Sequence, residues 1–109
     1  DIAMLPPRLA GLASRDANAL SGPDEIDPGA GGFSFVVLST PARAEAEPLA
    51  TRWRRAGYRV SVLTADIGGR AMYRVAIGQF SSRDQALRLR DRIGPQAPAD
   101  TWLLDLRTL

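Results

Sequence analysis

YRVAIGQFSSRDQA, residues 73–86, decides the fold. Tyr73, Val75 and Ile77 alternate with Arg74 and Ala76, the period of a half-buried strand. Gly78 then gives the backbone room at the strand end. Ser82 and Gln85 have the spacing of a capping box, so a helix starts there. Ala86, Leu89 and Ile93 give that helix one apolar stripe, and Gly94-Pro95 ends it.

Working outward, DIGG (66–69) is a glycine turn. It joins the strand Met72–Gly78 to a preceding strand, YRVSVLTA (58–65), as a hairpin. Upstream, EPLATRWRRA (47–56) is helical, with Leu49, Trp53 and Ala56 on one stripe and Gly57 as its stop. Its start has two readings. Thr40-Pro41 resembles a cap, which would leave Pro48 inside the helix; otherwise the helix begins near Ala46. FSFVVLS (33–39) is the first strand and TWLLDL (101–106) the last. Strand, turn and helix in Phe35–Ala56 recur in Tyr73–Ile93. The order β-α-β-β-α-β predicts an α+β, ferredoxin-like domain: a four-stranded antiparallel sheet with two helices on one face. The other face is then free.

Residues 1–32 read as an N-terminal segment and 33–109 as the domain proper. LSGPDEIDPGAGG (20–32) is rich in Gly, Pro and acid, hence a loop or linker. Before it, Leu5, Leu9, Leu12 and Leu20 lie near helical spacing, with Pro6 and Pro7 at the first turn. This short helix is marginal alone, and the stripe Ile2, Leu5, Leu9 and Leu12 predicts that it packs back onto the free sheet face, either of its own domain or of a neighbouring copy.

The chain has 109 residues, enough for one domain, and no run near twenty apolar residues. It begins at Asp1 without a basic and apolar leader, which reads as a piece of a longer or processed product. It has no Cys and no His. Thiol nucleophiles, imidazole bases and the usual zinc ligands are therefore absent from the sequence, so no metal, cofactor or catalytic residue is predicted. All basic residues are Arg, and the net charge of +2 is too small to argue for a nucleic-acid partner.

Phe33–Leu106 resembles the SPOR domain, the sporulation-related repeat of bacterial cell-envelope proteins. YRVAIGQFSSRDQA is close to the family's second-half signature. AGYRVSV (56–62) is similar to its second strand, and TWLLDL to its closing strand. The resemblance implies a ferredoxin-like fold and a binding module rather than an enzyme. SPOR domains bind peptidoglycan, preferring glycan strands stripped of stem peptides, and often target cell-division proteins to the septum. The implied location is the periplasm or cell envelope. The first strand departs from the family: Val37 stands where a glycan-contacting Gln is common, Ser39 where Gly is, and Pro41 where Phe is.

In the family, the free face and the loops after the first and third strands carry glycan binding. Strand alternation predicts Val36, Leu38, Val60, Val62, Val75 and Ile77 beneath the helices. It predicts Phe35, Val37, Ser61, Leu63, Arg74, Ala76, Leu103 and Asp105 on the free face. Arg74 would hold a muramyl lactyl carboxylate bidentately, or else form a salt bridge with Asp105. Ser39, Thr40, Gln79 and Ser81 lie at the two strand-to-helix turns, where they offer polar groups to sugar. Ser82 is read as a cap, Phe80 and Trp53 as core, and Trp102 as covering the core edge. The candidate ligand-binding residues are thus Arg74, Gln79, Ser39, Thr40, Ser81, Phe35 and Val37. An alternative is a protein-interaction module with a degenerate glycan site, forming a homo-oligomer through an apolar face of Phe35, Val37, Leu63 and Leu103.

Overall fold

The computed structural model describes residues 9–94 and 97–109. Ile2, Leu5, Pro6 and Pro7 of the predicted N-terminal stripe lie outside the described residues. The elements are α1 (Ser14–Leu20), β1 (Phe33–Thr40), α2 (Arg43–Arg55), β2 (Val60–Ile67), β3 (Arg70–Phe80), α3 (Arg83–Ile93) and β4 (Trp102–Asp105). One-turn 3-10 helices at Pro28–Ala30 and Leu106–Thr108 flank the sheet. The sheet is antiparallel throughout, in the order β2-β3-β1-β4. This is the α+β, ferredoxin-like architecture that the alternation of strands and helices predicts.

One core lies between the sheet and the helices. Ala46, Ala50 and Trp53 of α2, Ala86, Leu89 and Ile93 of α3, and Val60, Val75, Ile77 and Phe80 of the sheet share it. α2 starts at Arg43 and tolerates Pro48 within it, so the earlier of the two predicted starts is the observed one. Ser82 accepts a hydrogen bond from the Gln85 amide, and the Gln85 side chain accepts one from the Ser81 amide. These bonds satisfy N-terminal amides that the helix itself leaves without partners.

The N-terminal helix begins at Ser14, later than predicted, and Leu9 precedes it in a separate turn. Against the prediction it does not cover the free sheet face but packs on the helical side of the sheet, because Leu9, Ala19 and Leu20 are buried with α2 and α3. Asp16 accepts hydrogen bonds from Gln85 (2.8 Å) and Arg88 (3.2 Å) of α3.

Two bulges break the simple alternation. β1 and β3 pair as Val36↔Ala76 and then Leu38↔Val75, so Val37 is an extra residue in β1. A bulge of this kind inverts the facing of everything on one side of it. Leu38 faces the helices as predicted. Upstream of the bulge the prediction fails: Phe35 and Val37 lie in the helical core, and Val36 faces the other way. β4 pairs with this inverted half of β1, so Leu103 also packs against the helical core instead of on the free face.

The second bulge is at Gly78, where the register shifts between Phe33↔Phe80 and Phe35↔Ile77. Gly78 has φ 76°, and a Cβ there would lie 2.6 Å from the Phe80 ring and 3.1 Å from the Ala19 carbonyl. Only glycine fits both the backbone and the space. The bulge turns Phe80 into the core and Gln79 to the opposite face.

Candidate functional site

The sheet face away from the helices is not bare. After α1 the chain passes the β2 end of the sheet, where the Arg59 amide donates to the Leu20 carbonyl (2.9 Å). Residues 23–32 then cross to β1 over one end of the open face. Ile26 is only 4% exposed and forms a second apolar cluster with Val36, Leu63, Ala76, Leu104 and Leu106. The Gly- and Pro-rich stretch is irregular, as its composition predicts, yet it works as a strap.

Polar groups hold the strap at each step. The Ile26 amide donates to Ser61 Oγ (2.8 Å), and Ser61 Oγ donates to the Glu25 carboxylate (2.7 Å). Arg59 donates to the Glu25 carbonyl (2.9 Å) and to Gln79 Oε1 (3.1 Å). Gln79 Oε1 also accepts from the Asp27 amide (3.0 Å). Gln79 Nε2 donates to the carbonyls of Asp27 (2.7 Å) and Gly31 (2.9 Å). Both hydrogens and both lone pairs of this amide are thereby used. The strap ends where Gly32 crosses the Phe80 carbonyl so closely that a Cβ would collide with it.

The other end of the same face is uncovered. Arg74 sits on β3 between Leu63 of β2 and Ser39 of β1. Its guanidinium carbon lies 5.0 Å from the ring centre of Trp102, a cation–π distance. Trp102 is 39% exposed. Arg74 forms no ion pair among the described residues, and its buried Nε has no hydrogen-bond partner there. Asp105, its predicted alternative partner, instead accepts from the Arg107 side chain at 3.0 and 3.1 Å. Those bonds hold the Asp105 carboxyl below the usual carboxylate range.

The predicted ligand residues separate into three groups. Arg74 and exposed Ser39 share the uncovered end. Gln79, Thr40 and Ser81 are committed elsewhere. Gln79 holds the strap, Thr40 Oγ1 accepts from the Ala42 amide and donates to Glu45, and Ser81 Oγ donates to Gln85. Phe35 and Val37 are buried among helical side chains. Trp102 is the residue that sequence reasoning missed as a site component. The bulge in β1 hid it, because Trp102 faces the sheet surface only in the inverted register. A cavity of about 350 Å³ on the helical side is lined by Leu49, Arg52, Trp53, Ala56 and Pro98, and among the described residues no cation–π contact joins Arg52 to Trp53.

Among the described residues no helix is long and apolar enough to cross a membrane, and no group of three or more acidic side chains could hold a metal ion. A protein-family model described as SPOR domain matches residues 29–101, about two thirds of the chain. Comparisons with curated proteins and with solved structures find no match.

Proposed function

We propose, from the premise that this chain belongs to the SPOR domain family, that it is a non-catalytic module binding glycan strands of peptidoglycan. The family is known for binding peptidoglycan. The finer reading is that the chain prefers strands freed of stem peptides and brings the protein that carries it to the division site in the envelope. The observation behind it is Arg74: a cation without an acidic partner among the described residues, lying over an exposed Trp102, on the uncovered end of the sheet. A guanidinium so placed suits the carboxylate that a muramyl residue exposes once its peptide is removed. The indole beside it suits the apolar face of a sugar ring.

The competing reading, an interaction module joined through an apolar sheet face, rested on Phe35, Val37, Leu63 and Leu103. Phe35, Val37 and Leu103 face the helices, and Leu63 lies in the cluster closed by Ile26. The motivation for that reading is therefore gone.

Co-sedimentation with peptidoglycan sacculi tests the proposal. Sacculi treated with an amidase to remove stem peptides should retain the protein, untreated sacculi should retain less, and EDTA should change neither. Equal retention on both preparations would sink the preference for bare glycan.

A further inference from the structure

β2 is an outer strand of the sheet, and its free edge is long and undefended. Its eight residues, VSVLTADI (60–67), pair with β3 one for one, without a bulge. They include no Pro, Lys or Arg, the usual guards of an edge strand. β4, at the opposite margin, has only four residues.

The Gly78 amide donates to the Arg59 carbonyl (2.7 Å), next to the pair Val60↔Ile77. In an antiparallel ladder that bond turns the backbone groups of Ser61, Leu63, Ala65 and Ile67 toward β3, and those of Val60, Val62, Thr64 and Asp66 outward. At the start of the strand the outer side is occupied. Ser21 bridges Tyr58, the Arg59 amide donates to Leu20, and Arg54 of α2 donates to the Val60 carbonyl (3.3 Å). At the other end the chain turns back at Gly68-Gly69. Between these limits the outward N–H and C=O groups of Val62, Thr64 and Asp66 have no hydrogen-bond partner among the described residues. Asp66 is exposed and, like Arg54, forms no ion pair there.

We infer that this edge binds a second copy of the chain, β2 against β2, antiparallel about a twofold axis at Thr64. Val62, Thr64 and Asp66 are evenly spaced about Thr64, so in that register they pair completely with one another: Thr64 with Thr64, and Val62 with the second copy's Asp66. Val60 and Val62 point toward the helical core, so Asp66, in step with them, lies on the α2 side of the sheet. There the second copy's Asp66 stands opposite Val62 and diagonal to Val60, where Arg54 already reaches. Each copy thus offers the other a carboxylate and a cation, a self-complementary match of charge. The residue that falls opposite Val60 is the second copy's Gly68, which has no side chain to meet Arg54. A strand from a different protein is the competing occupant. It must supply an acid at one end and a base at the other, which this chain does by symmetry. A twofold normal to the sheet keeps both copies' helices on one side. The open faces then join into one, with Arg74, the β3 neighbour of Leu63, on each half. The pairing is independent of the glycan-binding reading.

The test is sedimentation velocity on the whole chain from micromolar to millimolar concentration. The parent should pass from one chain to two and stop there, because the pairing uses up the β2 edge of both copies. Thr64→Pro removes an outward N–H and no bond to β3. It should stay a single chain throughout while keeping the parent melting temperature. Asp66→Arg should weaken the dimer about tenfold, and adding Arg54→Asp should restore it to near the parent value. These two substitutions alter exposed side chains only, so they read the edge even if Thr64→Pro does not fold. A parent that remains a single chain, assemblies that grow past two, or a Thr64→Pro variant that dimerises like the parent would overturn the proposal. So would Asp66→Arg pairing as tightly as the parent, since the edge would then serve another register or another strand.

Discussion

The two ends of one sheet face have opposite characters. At one end the strap closes over Val36, Ala76 and Leu104, with Ile26 inserted and Gln79 using its full hydrogen-bonding capacity. At the other, the Arg74 guanidinium makes no hydrogen bond or ion pair among the described residues beside a partly exposed Trp102. Arg59 at the strapped end, whose buried Nε is likewise unpartnered, instead donates through its terminal nitrogen to Glu25 and Gln79. Polar groups in a finished structure are normally satisfied, and a cation that is not invites a ligand. A satisfied amide and an unsatisfied guanidinium, two residues selected from the sequence for the same role, therefore point to different roles.

Removing residues 1–31 gives the largest expected effect. The truncation takes Leu9 and Leu20 from the main core and Ile26 from the sheet face. Each such side chain contributes about 1.5–3 kcal/mol by burial, and a domain's net stability is only about 5–15 kcal/mol. The remaining chain should unfold at a far lower temperature, or show no cooperative transition by circular dichroism. If residues 32–109 keep the parent melting temperature, the strap is an accessory and the sheet face is stable uncovered. If they stay folded and bind amidase-treated peptidoglycan more tightly, the strap masks part of the ligand surface.

The next two substitutions set the ends directly against each other. Arg74→Ala should weaken binding to peptide-free glycan by about 1–3 kcal/mol and change stability by no more than about 0.5 kcal/mol. Gln79→Ala should do the reverse. It strands the Asp27 amide and removes a partner of Arg59, costing about 1–2 kcal/mol of stability, while binding stays near the parent value. Urea denaturation and co-sedimentation on both variants decide the matter. Loss of binding in Gln79→Ala with unchanged stability would return that residue to the ligand surface.

The fold was legible because its signals are local. Alternation in Tyr73–Ile77, the Ser82–Gln85 cap and the stripe Ala86–Leu89–Ile93 each fit inside a few residues, and each is observed. The site was less legible because two single-residue bulges govern it. Nothing in Phe33–Thr40 marks Val37 as the extra residue, and without that mark the alternation sends Phe35 outward and Trp102 to the core edge. Gln79 illustrates another limit: a turn amide suited to sugar is equally suited to backbone. Its partners, Asp27 and Gly31, lie 52 and 48 residues away, beyond any local pattern. Arg74 was readable because its strand is regular from Tyr73 to Ile77.

The smallest expected effect concerns pH and the strapped end. Asp105 accepts from the Arg107 side chain and from the Arg107 amide (3.0 Å), in that order of influence, and these bonds lower its pKa. The adjacent Leu106 is buried in the cluster with Ile26, and its amide donates to the Gly32 carbonyl (2.9 Å) at the end of the strap. Because the folded carboxyl binds its proton less readily than the unfolded one, the pair's contribution is full above the unfolded pKa. It is lost as pH falls through the folded value. The pair is exposed and the effect should be slight, yet it belongs to one end only. Asp105→Asn should remove a small part of the acid-induced loss of stability between about pH 5 and pH 2, and leave the amide shifts of Ser39 and Arg74 unchanged over that window. If the parent and Asp105→Asn lose stability identically on acidification, the Arg107 contact does not help to fasten the strapped end. Closure of that end would then rest on Ile26 and the Gln79 amide.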